Sequence, residues 1–256
     1  MRLYRDVIQL SPEWHALRSG SLSGSRASLV VGSPKSAAAQ ARGDLVAAGM
    51  TYARRCAAAL AAPAHAPRPV TFANGEHGRY WEPIAREAAS LDVGIDFAEV
   101  GWAERTDAHG HSPDGLADGV GLEVKCQAEP AIYEACAAWR APADVKPHDR
   151  GKWYWQCVNG MVVCGVTRWL LASYLYRTGE LSYVLFDADS DAELAADLAH
   201  LLERAERFAE IRDAELARLA EARMGRDQHQ EAIKAALRTP ASRPIPTLTP
   251  TLTPPR

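Results

Sequence analysis

The chain has 256 residues, of which 47% are hydrophobic and 24% charged. That supplies a core for one large domain plus an appendage and excludes wholesale disorder. No stretch is apolar for the roughly 18–20 residues a membrane span needs, and the N-terminus shows no signal-peptide pattern. Cys56, Cys126, Cys136, Cys157 and Cys164 form no C-x-x-C pair, which argues against a structural zinc or iron–sulfur site and fits a reducing cytoplasm.

In chain order, Ser11 caps a helix with Pro12 at its first position, and Gly20 ends it. A second short helix is expected from Ser23 to Val31, then a loop over 33–40, an Ala-rich helix over 41–61, and an Ala/Pro stretch over 62–69. A longer helix runs from about Phe72 to Leu91, with a kink or break expected at Pro83. Strands follow: Gly94–Trp102, a turn at His111–Leu116 entering a second, and Val120–Cys126, where Leu122 and Val124 alternate with Glu123 and Lys125. Then come a helix over Pro130–Trp139, a loop over 141–150, an apolar helix over Trp153–Cys164 and two strands over Trp169–Tyr176 and Leu181–Asp187. A long amphipathic helix runs from Asp191 to about Leu237, and the Pro/Thr-rich end from Thr239 reads as a disordered tail. The expected domains are 1–222, a helical extension 223–238 and the tail 239–256. The fold class is α/β, a central mixed β-sheet flanked by helices.

Charge is segregated. Residues 1–80 carry a net +6, 81–138 a net −9, 139–186 a net +3 and the rest −3. A protein that holds a divalent cation and grips a polyanion has this pattern, and so does ordinary surface variation.

The chemistry concentrates in Ser112-Pro113-Asp114-Gly115 and Glu123-Val124-Lys125. The period of two puts Glu123 and Lys125 on one strand face, and a hairpin brings Asp114 towards Glu123. Adjacent carboxylates repel unless a cation lies between them, and Mg²⁺ suits oxygen ligands. The backbone carbonyl of Val124 is a further candidate ligand, and Lys125 is placed to hold or deprotonate a water or to neutralise a phosphate. A plain Glu123–Lys125 salt bridge explains the same residues.

This is the PD-(D/E)xK pattern, and its surroundings resemble the lambda exonuclease-like family of YqaJ-type viral recombinases. The resemblance rests on Leu10-Ser11-Pro12-Glu13-Trp14-His15-Ala16-Leu17-Arg18-Ser19-Gly20 with Ser23-Gly24-Ser25, on Gly78 to Glu87 with its Glu82-Pro83, on the two metal motifs, and on Trp155-Gln156-Cys157-Val158-Asn159-Gly160-Met161. It implies a restriction-endonuclease-like core and a metal site of Glu82, Asp114, Glu123 and the Val124 carbonyl. It implies Lys125, Asp114 and Glu123 as catalytic residues, two Mg²⁺ ions per site with Mn²⁺ able to substitute, and a 5′-phosphate pocket of Arg18, Ser25, Ser112 and Gln156. The implied activity is 5′-to-3′ digestion of linear double-stranded DNA in the bacterial cytoplasm, with a homotrimeric ring around the DNA and a single-strand annealing partner for the 3′ overhang. A catalytically silent DNA-end-binding protein and an endonuclease of the same superfamily are the rivals. Gln127, where the family often has proline, and the Ala-rich 33–70 depart from the pattern. Glu104 is a further acidic candidate near the site, and Trp14 reads as core.

Overall fold

The computed structural model describes residues 1–62 and 73–238. The expected tail, most of the Ala/Pro stretch and Phe72 lie outside the described residues. The chain divides into two compact units, Met1–Leu216 and Ala217–Arg256. The first carries both sheets and every candidate site residue. The described part of the second is helix.

Strand β1 (Arg2–Tyr4) leads to helix α1 (Pro12–Arg18), which is capped as its sequence dictates: the Trp14 N–H donates to the Ser11 hydroxyl at 3.1 Å. The second expected helix is a 3-10 turn over Gly24–Leu29. The Ala-rich region departs from expectation. A short α2 (Ala37–Ala41) occupies the supposed loop, and α3 (Ala47–Ala61) starts only after Gly43, whose φ of +67° breaks the helix. Helix α4 (Ala73–Val93) runs unbroken through Pro83, which lies on its exposed side while Ala85 and Ala89 face the core.

The expected strand over Gly94–Trp102 is not formed. That segment buries Phe97 and Val100 while making only a bridge from Ala98 to Leu116, and β2 begins where the expectation ended, at Trp102–Thr106. It pairs antiparallel with β1 and with β3 (His109–His111), a three-stranded sheet the sequence did not announce. The mixed sheet is the other one. It contains β4 (Gly115–Ala117), β5 (Val120–Gln127), β6 (Arg168–Leu175) and β7 (Glu180–Asp187) in that order, with β5 and β6 parallel and the other pairs antiparallel. A parallel pair needs a crossover. Here α5 (Pro130–Ala137), α6 (Pro142–Val145, in the expected loop) and α7 (Lys152–Cys164) supply it.

The sheet is buried on both faces. Leu122 and Val124 pack with Ala85 and Ala89 of α4, whereas Trp169 and Leu171 pack with Val158 and Met161 of α7. Helix α8 (Ala192–Arg238) adds Leu194, Leu201, Ala205 and Phe208 to the α7 side. Two buried arginines tie α8 to the N-terminal region. Arg204 donates to the carbonyls of Val30 at 3.1 Å, Gly43 at 3.2 Å and Asp44 at 2.6 Å. Arg212 donates to the carbonyls of Gly20 at 3.1 Å and Asp107 at 2.9 Å, and pairs with the Asp107 carboxylate at 2.9 Å. Arg212→Leu is expected to destabilise the protein by about 3 kcal/mol, because it strands these acceptors. Urea unfolding followed by circular dichroism checks it, and an unchanged midpoint refutes it.

All five cysteines are free thiols. Among the described residues no helix is long and apolar enough to cross a membrane.

Candidate active site

The β4–β5 hairpin builds the centre. The Asp114 N–H donates to the Leu122 carbonyl at 3.1 Å, and the Val124 N–H donates to Asp114 Oδ2 at 2.6 Å. Asp114 is thereby fixed beside β5, one residue from Glu123. Strand alternation sends Leu122 and Val124 to the α4 face and turns Glu123 and Lys125 away from it. Lys125 Nζ donates to Glu123 Oε1 at 2.5 Å and to Gln156 Oε1 at 3.1 Å, while Gln156 Nε2 also donates to Glu123 Oε1. The Lys125 ammonium lies 5.7 Å from the centre of the Trp153 ring.

Glu82 reaches this cluster electrostatically through α4. Four residues on, and so on the same helix face, Arg86 donates to the Asp114 carbonyl at 2.8 Å and pairs with Glu99 at 2.8 Å. Arg86 thus fastens α4 to the turn that carries Asp114. Its position one helical turn after Glu82 was visible in the sequence, but its role was not.

Burial raises the pKa of each carboxyl, and neighbouring negative charge raises it further. Burial and then Asp114 push Glu123 up to about 8, against the pull of Lys125 and Gln156. Asp114 is held well above the ordinary carboxyl range by burial and then Glu82, and Glu82 is raised by burial and then Glu123. Burial works against the charge on Lys125, but Glu123 and Asp114 outweigh it and hold the ammonium above the usual lysine range.

Carboxyls that raise one another in this way suit a hard divalent cation, whose charge reverses the penalty each now carries. Glu123 Oε2 points the same way: it is buried and accepts no hydrogen bond. Val124, whose carbonyl the resemblance adds to the set, lies between Glu123 and Lys125 on β5. Among the described residues no three His, Cys, Asp or Glu side chains converge as a ready ligand set, and Glu123 is turned instead towards Lys125 and Gln156.

The sequence puts His111 close to the site as a turn residue able to touch substrate and gives His109 no metal spacing; the structure sets both on β3 as a buried pair. Asn159 on α7 faces His109 Nε2 at 2.8 Å with its oxygen, and its amide nitrogen lies 3.2 Å from the Gly110 carbonyl and 3.3 Å from His111 Nδ1. An amide donor at Nδ1 leaves the His111 proton on Nε2, which lies 3.8 Å from Glu123 Oε2. Burial lowers both rings, His109 to about 4 and His111 to about 3, so both are neutral near pH 7. Two histidines two residues apart share one face of β3, as strand alternation requires, but only the fold brings that face to Asn159.

Arg18 donates to the Ser25 hydroxyl at 2.7 Å and the Ser23 hydroxyl at 3.2 Å, and lies 4.6 Å from the centre of the Trp14 ring. Gly24, between those serines, is pressed against the centre: a Cβ there would stand 2.3 Å from His111 Nδ1. The turn that carries Ser25 therefore abuts the carboxylate cluster. Gln156 lies within the cluster, not with Arg18. Ser112 is drawn elsewhere, accepting from Trp14 Nε1 at 2.7 Å and donating to the Gly101 carbonyl at 2.9 Å. Trp14 is buried, as expected, and joins α1 to the Asp114 turn. Glu104 accepts from the Tyr4 hydroxyl at 2.6 Å and takes no part in the cluster's hydrogen bonds.

This architecture is that of the alkaline exonucleases. The alkaline exonuclease LHK-Exo from Laribacter hongkongensis, solved alone and in complex with dAMP, superposes in both cases with a TM-score of 0.60 at 22% identity, over 84% of this chain and 99% of that one. A phage related exonuclease from Haemophilus somnus 129PT gives 0.60 at 13% identity, over 78% and 96% of the two chains. Residues 13–167 match the YqaJ-like viral recombinase domain, and the chain belongs to that family. No curated protein matches it.

Proposed function

We propose that the protein is a metal-dependent exonuclease that digests the 5′-ended strand of linear duplex DNA and leaves a 3′ single strand. The observation that carries this reading is the pair of buried carboxyls Asp114 and Glu123 at the β4–β5 hairpin, with half-buried Lys125 beside them and Glu82 coupled to them from α4, inside the span that matches the family. Glu82, Asp114, Glu123 and the Val124 carbonyl would hold the metal, two Mg²⁺ ions on this reading, with Mn²⁺ a substitute. When bound, divalent cations polarise the scissile phosphate and lower the pKa of the attacking water. The chain's own residues do the rest. The Asp114 turn and β5 hold the carboxylates rigid. Lys125 places a fixed positive charge beside the reacting phosphate. Gln156 keeps Lys125 and Glu123 in register.

Arg18, with the Ser25 hydroxyl, offers a guanidinium fork to a terminal phosphate; Ser112 and Gln156, which the same reading adds to that pocket, would have to exchange their present bonds to Gly101 and Glu123 for the phosphate. Arg18→Ala is therefore expected to slow digestion of 5′-phosphorylated ends about tenfold, the loss of one charged hydrogen-bonding group, and to affect 5′-hydroxyl ends far less. Initial rates on the two substrates decide it, and equal losses remove the pocket. The reading also includes a homotrimeric ring, which reconciles a net charge of −3 with DNA binding because only the channel must be basic. It includes a single-strand annealing protein as the recipient of the 3′ strand, and action in the bacterial cytoplasm.

The test is a linear duplex with one phosphorylated 5′ end and a labelled 3′ end, incubated with Mg²⁺ or with EDTA, wild type beside Asp114→Ala. Mg²⁺-dependent loss of the 5′-ended strand, absent in the variant, supports the proposal. Internal cuts make the protein an endonuclease. Binding without digestion makes it a silent end-binding protein.

A further inference from the structure

Beyond the Arg18 pocket lies a groove of about 1120 Å³ between α1, the 3-10 turn and α3. Arg18 lines it from α1, Arg26 from the turn and Arg55 from α3, and no aspartate or glutamate contributes to its walls. Much of its floor is alanine, including Ala16, Ala47 and Ala59. Arg26 and Arg55 are exposed, and among the described residues neither side chain makes a hydrogen bond or an ion pair. Several arginines elsewhere are engaged: Arg42, Arg86, Arg207 and Arg212 each pair with a carboxylate, and Arg204 bonds to carbonyls. Arg18 itself hydrogen-bonds to the hydroxyls of Ser23 and Ser25, which are also donors to an anion.

Three guanidiniums gathered without a counter-charge repel one another, and a polyanion in the groove removes that cost. The groove opens next to the reaction centre, because Gly24 of the same turn is packed on His111 and Gln156. Of its ring-bearing residues, Tyr52 donates its hydroxyl to the Ser21 carbonyl at 2.9 Å with its ring centre 5.5 Å from that of Phe208, and His15 stands edge-on to Trp14 at 4.9 Å. Both are engaged with the protein, so recognition falls to the phosphates and is independent of sequence.

We propose that this groove seats the sugar–phosphate backbone of a DNA strand beyond the end held by Arg18, with Arg26 and Arg55 as its phosphate-binding residues. The identity of the polyanion rests on the exonuclease reading. The groove explains how a chain of net negative charge holds a strand between successive cuts, since its contacts survive the loss of any one terminal nucleotide.

The experiment measures binding of 5′-phosphorylated and 5′-hydroxyl oligonucleotides to the full chain by fluorescence anisotropy in EDTA, across a salt series. Arg26→Glu and Arg55→Glu are each expected to weaken binding about tenfold and to lower the salt slope by about 0.7. The loss is the same on both kinds of end, which separates these residues from Arg18. Arg26→Gln and Arg55→Gln give smaller losses in the same direction, and melting temperatures show that each variant is folded. Arg223→Glu, an exposed charge reversal outside the groove, controls for net charge. Wild-type affinity and slope in the groove variants overturn the proposal, as does an equal loss in Arg223→Glu. Competition by dAMP as strong as that by an oligonucleotide assigns the groove to a released mononucleotide and overturns the strand seat. Failure of the exonuclease reading shows separately, as wild type that binds DNA without Mg²⁺-dependent digestion.

Discussion

Lys125→Ala is expected to slow strand digestion by about 10³-fold, the scale on which loss of one pre-positioned charge at a reacting centre acts, while DNA binding is retained. The side chain is half-buried, bonded to Glu123 and Gln156 and backed by Trp153. It is therefore already aimed before substrate arrives and loses no conformational freedom at the moment of reaction. Lys125→Arg is not expected to rescue it, because a planar fork does not fit a site shaped for a point charge. Single-turnover digestion with enzyme in excess measures the chemical step, and anisotropy measures binding. A variant that digests at the wild-type rate removes Lys125 from the mechanism.

Asp114→Asn is expected to abolish digestion and at the same time to stabilise the fold. The amide oxygen can still accept the Val124 N–H, so the hairpin is kept, while one of three mutually repelling carboxylates is removed. The sign follows from Glu123, whose carboxyl stands at about 8 against an ordinary 4.5. A carboxyl raised by folding contributes stability that is fully present below its ordinary pKa and is lost as the pH rises through its folded value. Wild type in EDTA should therefore lose stability between about pH 4.5 and 8, and Asp114→Asn should lose less. The difference in melting temperature should be near zero at the acid end and reach a few degrees at pH 8, on the order of 1–2 kcal/mol. Mg²⁺ should stabilise wild type more than the variant at that pH. A variant less stable than wild type at pH 8 refutes the account.

Much of this site was legible because its parts sit on regular elements. The alternation of Leu122, Glu123, Val124 and Lys125 placed two side chains on each face of β5, and the turn before β4 brought Asp114 alongside, both from strand geometry alone. The cap at Ser11 fixed α1, and so Arg18 at its last turn. What escaped depended on tertiary context. Ile95, Phe97 and Val100 give 94–102 the apolar character of a strand, yet from an irregular path Ile95 and Phe97 fill the α4 side of the core and Val100 the α7 side, while Trp102–Thr106, with its polar end, forms the real strand between two partners. Ser112 looked free to bind phosphate, but its acceptor and donor are used by Trp14 and Gly101, some 98 and 11 residues away in the chain. Arg26 and Arg55 carry no motif, since a groove between α1 and α3 exists only once both have docked.

The two buried arginines of α8 set the order in which this molecule can come together. Arg204 and Arg212 close contacts with Val30 and Gly20 across 174 and 192 residues of chain. Contacts of such long range are the slow, late events of folding. On the ribosome, α1 and the 3-10 turn emerge first but wait for nearly the whole domain to be synthesised before their carbonyls find partners. The wall that holds Arg18 is thus finished last, after the hairpin bearing Asp114 and Glu123 has had time to form. A nascent chain arrested before α8 carries the carboxylates of the centre without the fixed arginine wall beside them, so the site is complete only once α8 has docked.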